Sequence, residues 1–416
     1  MSAINKRVVA GLLAAAASTA LVGSAVVPAS AADNQLKIQA IIPLTGSLAF
    51  LSPPEIAGLH LAVDEINAAG GVNGQQVSLD ITDSGDGDTL SIADQSATKA
   101  VSNGVDVVIG AAASGVTRSI INKITGAKIV QISMSNTAPD LSTWKDGGYY
   151  FRTAPSDLLQ GRILANQILQ DGKKSVSIVY QNTSYGVGLK DVALGILTKG
   201  GAKVKAFAFP ETETTFATYA TKVAAAKTDA TILISYDEAK KALPAFQSKG
   251  IKGSSVYLVD GNLIDYSAES YAKYLSGAKG TNPGKATSSA FKAKLSAAYK
   301  KYENKELKDF VYGAETYDAV LLAAIAAQAA KSSTGAAIKG QLTAVSLAGA
   351  GKTTVTSFAA ALKALNAGKK VNYDGFSGPI EFDKNGDPTG AYIGIYKYDA
   401  TGKNSLVKVV AGNSVK

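Results

Sequence analysis

The 416-residue sequence has no cysteine. That excludes a disulfide framework, a zinc-thiolate or iron-sulfur site, a thiol nucleophile and a lipid-modified N-terminal cysteine. A single histidine, His60, leaves little for imidazole-based metal binding or acid-base chemistry. Charged residues make up 18% of the chain, below the ordinary share of about 25%. The net charge of +9 is spread over single lysines, with no arginine-rich stripe and no basic-aromatic interleaving, so nucleic acid is not an expected partner. Beyond residue 27 no apolar run reaches membrane length; Ala319 to Ala330 comes nearest, contains Gln328 and reads as a buried helix.

What is present is 46% hydrophobic residues, enough for real cores, with 41 glycines and 11 prolines marking many turns. The length suits two or three folding units. At the N-terminus Lys6 and Arg7 precede an uncharged run, Val8 to Val27, followed by the small-residue stretch Pro28-Ala29-Ser30-Ala31-Ala32. This is the pattern of a secretory signal peptide over residues 1–31, implying export. Losing Lys6 and Arg7 would lower the formal charge from +9 to +7.

From Leu36 onward short apolar runs alternate with amphipathic stretches, so the expected fold class is α/β. Expected strands at Leu36–Pro43, Val77–Thr82, Val105–Ile109 and Ile129–Ser133, with helices between them, make one doubly wound half. Tyr149–Ser156 reads as a strand leaving that half and a Ser-capped helix start. Strands at Ser175–Tyr180, Lys203–Phe209, Ala230–Ser235 and Val256–Val259 then repeat the pattern, giving two Rossmann-like lobes facing a cleft. Residues 277–284 read as a Gly-rich crossing, 332–356 as a flexible Ala/Gly/Ser/Thr surface segment, and Ile380–Asp383 with Tyr392–Tyr398 as a hairpin around Asn385-Gly386-Asp387. The expected division is lobe 1 over 32–153 and 285–376, lobe 2 over 154–284 and 377–416, joined by three hinge segments near Thr153, Gly277–Gly284 and Phe376–Pro379.

Motifs for catalysis fail on spacing. Gly351-Lys352-Thr353 resembles the end of a phosphate-binding loop, yet Ser346 stands where its first glycine belongs. Asp83–Asp88 and Asp383–Asp387 lack calcium-loop spacing and read as turns. His60 has no Ser-His-Asp arrangement around it. No enzyme, cofactor or metal site is expected.

Several stretches together resemble one family. These are Ile42-Pro43-Leu44-Thr45-Gly46, Gly58 to Gly74 (GLHLAVDEINAAGGVNG), Val107-Val108-Ile109-Gly110, Ile132 to Leu141 (ISMSNTAPDL), Tyr149 to Ser156 (YYFRTAPS), Tyr185-Gly186-Val187-Gly188 and Tyr317-Asp318-Ala319-Val320. In order and spacing, from about Lys37 to Tyr398, they are similar to the type I solute-binding proteins of ABC importers, above all the branched-chain amino-acid (leucine/isoleucine/valine) binding proteins. The resemblance implies a binder that closes on a small amino acid and presents it to a membrane permease driven by a cytoplasmic ATPase.

It also implies a site. Ser114, through hydroxyl and backbone N–H at a helix start, Ser135 through its backbone and Thr137 through its hydroxyl would grip a carboxylate. Tyr185 would close over the ligand, Asp260 would accept its ammonium group, and Ser235 or Tyr236 would add a further contact. The family's tyrosine after the first strand is replaced by Phe50 or Leu51, the acid is Asp instead of Glu, and Ala113 stands where some relatives have a cysteine. With no cysteine to lipidate, the protein is expected to be periplasmic, or released and held at the cell envelope by other contacts. The same fold would also serve a ligand sensor, or a binder of amides, urea-like compounds or aromatic acids; a secreted hydrolase is the remaining alternative.

Overall fold

The computed structural model describes residues 34–285 and 287–412. The expected signal peptide, residues 1–31, lies outside the described residues.

The first half alternates strand and helix: β1 (Lys37–Ile42), α1 (Ser52–Ala68), β2 (Ser78–Asp83), α2 (Leu90–Ser102), β3 (Val107–Gly110), α3 (Ser114–Gly126), β4 (Val130–Ser133) and β5 (Tyr150–Arg152). The strands form one parallel sheet in the order β2-β1-β3-β4-β5. β3 and β4 are buried throughout, as expected of parallel strands covered by helices on both faces. Gly110 ends β3 with φ +126°, and a Cβ there would lie 2.1 Å from the Ile41 carbonyl oxygen, so only glycine allows this approach.

Ser156, as read from the sequence, caps the next helix by accepting the Leu158 N–H. The pattern then repeats: α4 (Asp157–Gln170), β6 (Ser175–Gln181), α5 (Ser184–Lys199), β7 (Lys203–Phe209), α6 (Ala217–Ala226), β8 (Ala230–Ile234), α7 (Ala239–Ser248) and β9 (Val256–Leu258). Three further strands complete the second sheet: β10 (Lys279–Pro283) and, near the C-terminus, β13 (Tyr392–Tyr398) and β14 (Asn404–Ala411). Its order is β14-β13-β10-β9-β8-β6-β7; the pairs from β10 to β7 are parallel, and β13 alone runs against the rest, pairing antiparallel with both β10 and β14. From β7 to β10 this repeats the 2-1-3-4-5 order of the first sheet. In such sheets ligands collect at the strands' carboxyl ends beside the first strand, where the winding direction reverses. Here those points are β1/β3 and β6/β8.

Between β10 and β13 run α8 (Ser289–Glu303), α9 (Gly313–Ala330), α10 (Gly335–Ser346), β11 (Lys352–Val355), α11 (Phe358–Asn366) and β12 (Lys370–Tyr373), with β11 and β12 forming a small parallel pair. α9 is buried almost all round and crosses α1 closely: a Cβ on Gly58 would sit 2.6 Å from the Gly313 carbonyl oxygen.

Within the stretch read as a Gly-rich crossing, residues 279–283 form a buried central strand; Gly280 lies so close to Leu263 and Leu258 that no side chain fits. Two expectations are corrected. Residues 332–356 are not a flexible surface segment, because Ile338, Leu342 and Val345 of α10 pack into the core with α9 and Val355 of β11 is buried too. The C-terminal hairpin is β13–β14, turning where the Asp399 carboxylate accepts the Thr401 and Lys403 N–H groups. Ile380–Asp383 makes only isolated bridge contacts, and Ile380 and Phe382 pack in the first sheet's core cluster.

Fully buried Arg152 pins this strap. Its Nε and Nη2 donate to the two carboxylate oxygens of Asp387 at 2.6 and 3.0 Å, and its backbone N–H donates to the Gly386 carbonyl. A second cluster runs unbroken from Ile41 and Val108 of the first sheet to Ile178 and Ile232 of the second. The two sheets therefore contribute to one apolar cluster.

Candidate functional site

Most of the expected site residues lie within four residues of a strand's carboxyl end, and Phe50 and Leu51 lie further along, in the turn that leads into α1. Leu51 follows β1; Ser114 follows β3; Ser135 and Thr137 follow β4; Tyr185 follows β6; Ser235 and Tyr236 follow β8; and Asp260 follows β9. Phe50 is half-buried and the other eight are buried.

On the first-sheet side, α3 begins at Ser114 with Ala113 as its cap residue, so no side chain caps its first N–H groups. The Ser114 hydroxyl instead accepts the Ala138 N–H at 3.3 Å, drawing the β4 loop against the helix start. Uncapped N–H groups at the positive end of a 13-residue helix favour an anion. Thr137 accepts the Asp157 N–H at its carbonyl, 2.7 Å away, which joins this loop to the first turn of α4.

On the second-sheet side Asp260 is the hub. Its Oδ1 accepts Tyr185 Oη at 2.7 Å and Gln160 Nε2 at 2.8 Å, and its Oδ2 accepts Tyr312 Oη at 2.7 Å. Asn262 holds the Asp260 turn by accepting the Val259 N–H and donating to the Leu233 carbonyl and the Ser235 hydroxyl. The Ser235 hydroxyl is thereby committed to the protein, while the Tyr236 ring stacks on Tyr185 with centroids 5.3 Å apart. Gly261 leaves room for this, since a Cβ there would press on Ser235, the Tyr236 ring and Tyr185 Oη. Leu51, Phe50, Tyr185, Tyr236 and Tyr312 belong to one cluster, so the structure brings together the side-chain wall and the acid.

Sequence reading missed Tyr312, Gln160, Asp157 and Glu55. Tyr312 precedes α9, which follows no strand, so nothing local marks it. Asp157 and Glu55 sit in the first turns of α4 and α1, where an acid ordinarily reads as a solvated partner of the helix dipole; both are fully buried.

These acids are displaced from ordinary behaviour. Burial pushes the Asp260 carboxyl up, against hydrogen bonds from Tyr185, Tyr312, Gln160 and the Gly261 N–H that pull it down. Burial, then repulsion from Asp260, pushes Asp157 well above the usual carboxylate range, with weaker opposing pulls from Thr137 and Arg152. Burial makes both acids harder to ionise than a free carboxylate, and Asp157 also feels the charge of Asp260. The residues thus include N–H donors at the start of α3 and a buried acid at Asp260, with aromatic and apolar side chains gathered in one cluster. Among the described residues no group of His, Cys, Asp or Glu is arranged to hold a metal ion, and His60 lies elsewhere, stacked on Tyr302.

A sequence model of the periplasmic binding proteins matches residues 35–403. The chain belongs to this family. The periplasmic binding protein described here is 30% identical over 191 residues to Leu/Ile/Val-binding protein homolog 3 of Brucella melitensis, an alignment covering 46% of this chain and 50% of that relative. The chain thus spans about half the length of that curated relative. It is 26% identical over 377 residues, 87% of each chain, to the chemotactic signal transduction system substrate-binding protein BasB of Halobacterium salinarum. Among solved structures it is similar to the branched-chain amino-acid transporter substrate-binding protein LivJ of Streptococcus pneumoniae in complex with isoleucine. The TM-score is 0.72 at 25% identity, covering 91% of this chain and 99% of that one.

Proposed function

We propose that this periplasmic binding protein is the extracytoplasmic substrate-binding component of an ABC importer. It takes up a small amino acid, branched-chain or another aliphatic one being the first candidates, by closing two lobes over it and delivers it to a membrane permease coupled to a cytoplasmic ATPase. The observation that carries the reading is Asp260, a buried acid whose Oδ1 accepts Tyr185 and Gln160 and whose Oδ2 accepts Tyr312. Such an acid suits an α-ammonium group, and the α3 N–H groups with Ser114, Ser135 and Thr137 suit its carboxylate. The likeness to an isoleucine-bound LivJ supports the same ligand class. Binding without turnover follows, because these groups recognise opposite charges and none of the reading requires a bond to be broken.

In this reading lobe 1 holds the first sheet and lobe 2 the second, with crossings near Thr153 and Gly284. Because Ile380 and Phe382 pack with the first sheet and Gly386 bonds Arg152, we place the third crossing between Pro388 and Tyr392, later than Phe376–Pro379. Ligand contacts from both lobes exist together only in the closed form, so the ligand shifts an open-closed equilibrium by its differential affinity.

The test is titration calorimetry on protein unfolded and refolded to strip carried ligand, against the standard amino acids, their des-amino analogues and a few amides and aromatic acids. One-to-one binding of an amino acid is expected, with Asp260→Asn weakening it at least tenfold while a des-amino analogue loses far less. Equal losses for both would remove the ammonium assignment. A second reading, a sensor that presents its ligand to a membrane signalling partner, is favoured by the match to BasB over 87% of this chain. Permease and ATPase genes beside its own would count against it.

A further inference from the structure

Glu55 is not among the groups assigned to an amino acid's backbone, yet it is wholly buried beside Ser135. It lies four residues after Leu51 at the start of α1, so the two share a helix face, and Leu51 belongs to the wall expected against the ligand's side chain. Its Oε1 is 3.4 Å from the hydroxyl of Ser135, one of the carboxylate-grip residues, while its Oε2 has no partner. Ser135 is the one group that pulls its pKa down, against burial that pushes it well above the usual range; no cation offsets the burial. A buried carboxyl left half-satisfied costs free energy, and native structures keep such groups where something else meets them. A neutral carboxyl offers a donor and an acceptor together, which matches a hydroxyl or carboxamide better than a methyl group or a cation.

We infer that Glu55 is a specificity residue, selecting amino acids whose side chain carries a hydroxyl or carboxamide over purely aliphatic ones of the same shape. The inference rests on the amino-acid reading proposed above, keeps its ligand class and moves the first candidates from aliphatic to polar side chains. It contrasts with a purely apolar pocket, which rejects an added hydroxyl only weakly; a pocket built to bond one discriminates strongly against the analogue lacking it.

The experiment compares near-isosteric pairs, threonine with valine and asparagine with leucine, and adds lysine, by calorimetry on the refolded protein and on Glu55→Gln and Glu55→Leu. The expected result is that the polar member of at least one pair binds about tenfold to a hundredfold tighter, that Glu55→Leu brings this ratio close to one or inverts it, and that Glu55→Gln, which keeps a donor and an acceptor, retains most of it. Should Glu55→Leu fail to fold, the wild-type ratio and Glu55→Gln still decide. Tighter binding of valine and leucine, lysine as the best ligand, or equal weakening of both pair members in the variants would overturn the inference and leave the amino-acid reading standing. Absence of binding by every amino acid would overturn both.

Discussion

Glu315 lies beside both Thr153 and Gly284. Thr153 donates its hydroxyl to the Glu315 carbonyl at 2.8 Å, and Gly284, with φ +91°, passes so close that a Cβ would lie 2.5 Å from Glu315 Oε1. Burial pushes this carboxyl up to about 8, its own backbone N–H pulls it down, and Asp318 adds a repulsive push upward. An acid with a native pKa above its unfolded one binds more protons in the native state, so stability is intact at low pH and falls as pH rises from about 4.5 to about 8. We expect urea unfolding to show lower stability at pH 8 than at pH 5, with about 3 kcal/mol of the difference removed in Glu315→Gln. An unchanged difference would mean that Glu315 is charged and solvated in the native protein. Residues of this kind escape a reading of sequence because the acid sits in the first turn of a helix, where an exposed position is the ordinary outcome. Ser114 and Asp260 were legible for the opposite reason: each directly follows an apolar strand, and strand ends are where such folds put their ligands.

At the scale of elements, the strands and helices of both doubly wound halves follow from alternating apolar runs, and their bounds fall within a few residues of the expected ones. The departures differ in cause. Lys279–Pro283 became a central strand through pairing with β9 and β13, which no local propensity signals. In Gly335–Ser346 the signal was present, since Ile338, Leu342 and Val345 recur at helical spacing, but an Ala/Gly/Ser/Thr composition outweighed it. The packing of α10 on α9 can be weighed directly. Leu342 is fully buried, so Leu342→Ala should cost about 2 to 5 kcal/mol of unfolding free energy, as buried leucine truncations do. The exposed Leu347, just past the helix, serves as control, and Leu347→Ala should stay within about 0.5 kcal/mol of the parent. Equal, small effects from both would show the segment to be as loose as its composition suggests.

At the scale of the whole molecule, the Tyr312–Asp260 hydrogen bond joins the segment leading into α9, which packs with the first sheet, to the end of β9 in the second. If the sheets belong to lobes that open and close, this bond exists only in the closed form, and it joins two protein groups. It therefore acts as a latch whose strength adds to the population from which the ligand selects. Removing only the phenolic oxygen, in Tyr312→Phe, keeps the ring in its apolar cluster and takes away about 1 kcal/mol of closed-state preference. Two consequences follow together. The ligand-free variant should show a larger radius of gyration by small-angle X-ray scattering than the ligand-free parent, while the two converge once saturated with ligand. Its affinity should fall by about fivefold, the same free energy read as binding, because closure now draws more from the ligand. A variant that binds more weakly with an unchanged ligand-free radius would make Tyr312 a direct ligand contact and no latch. Unchanged affinity and radius would mean that the apolar cluster alone holds the sheets together.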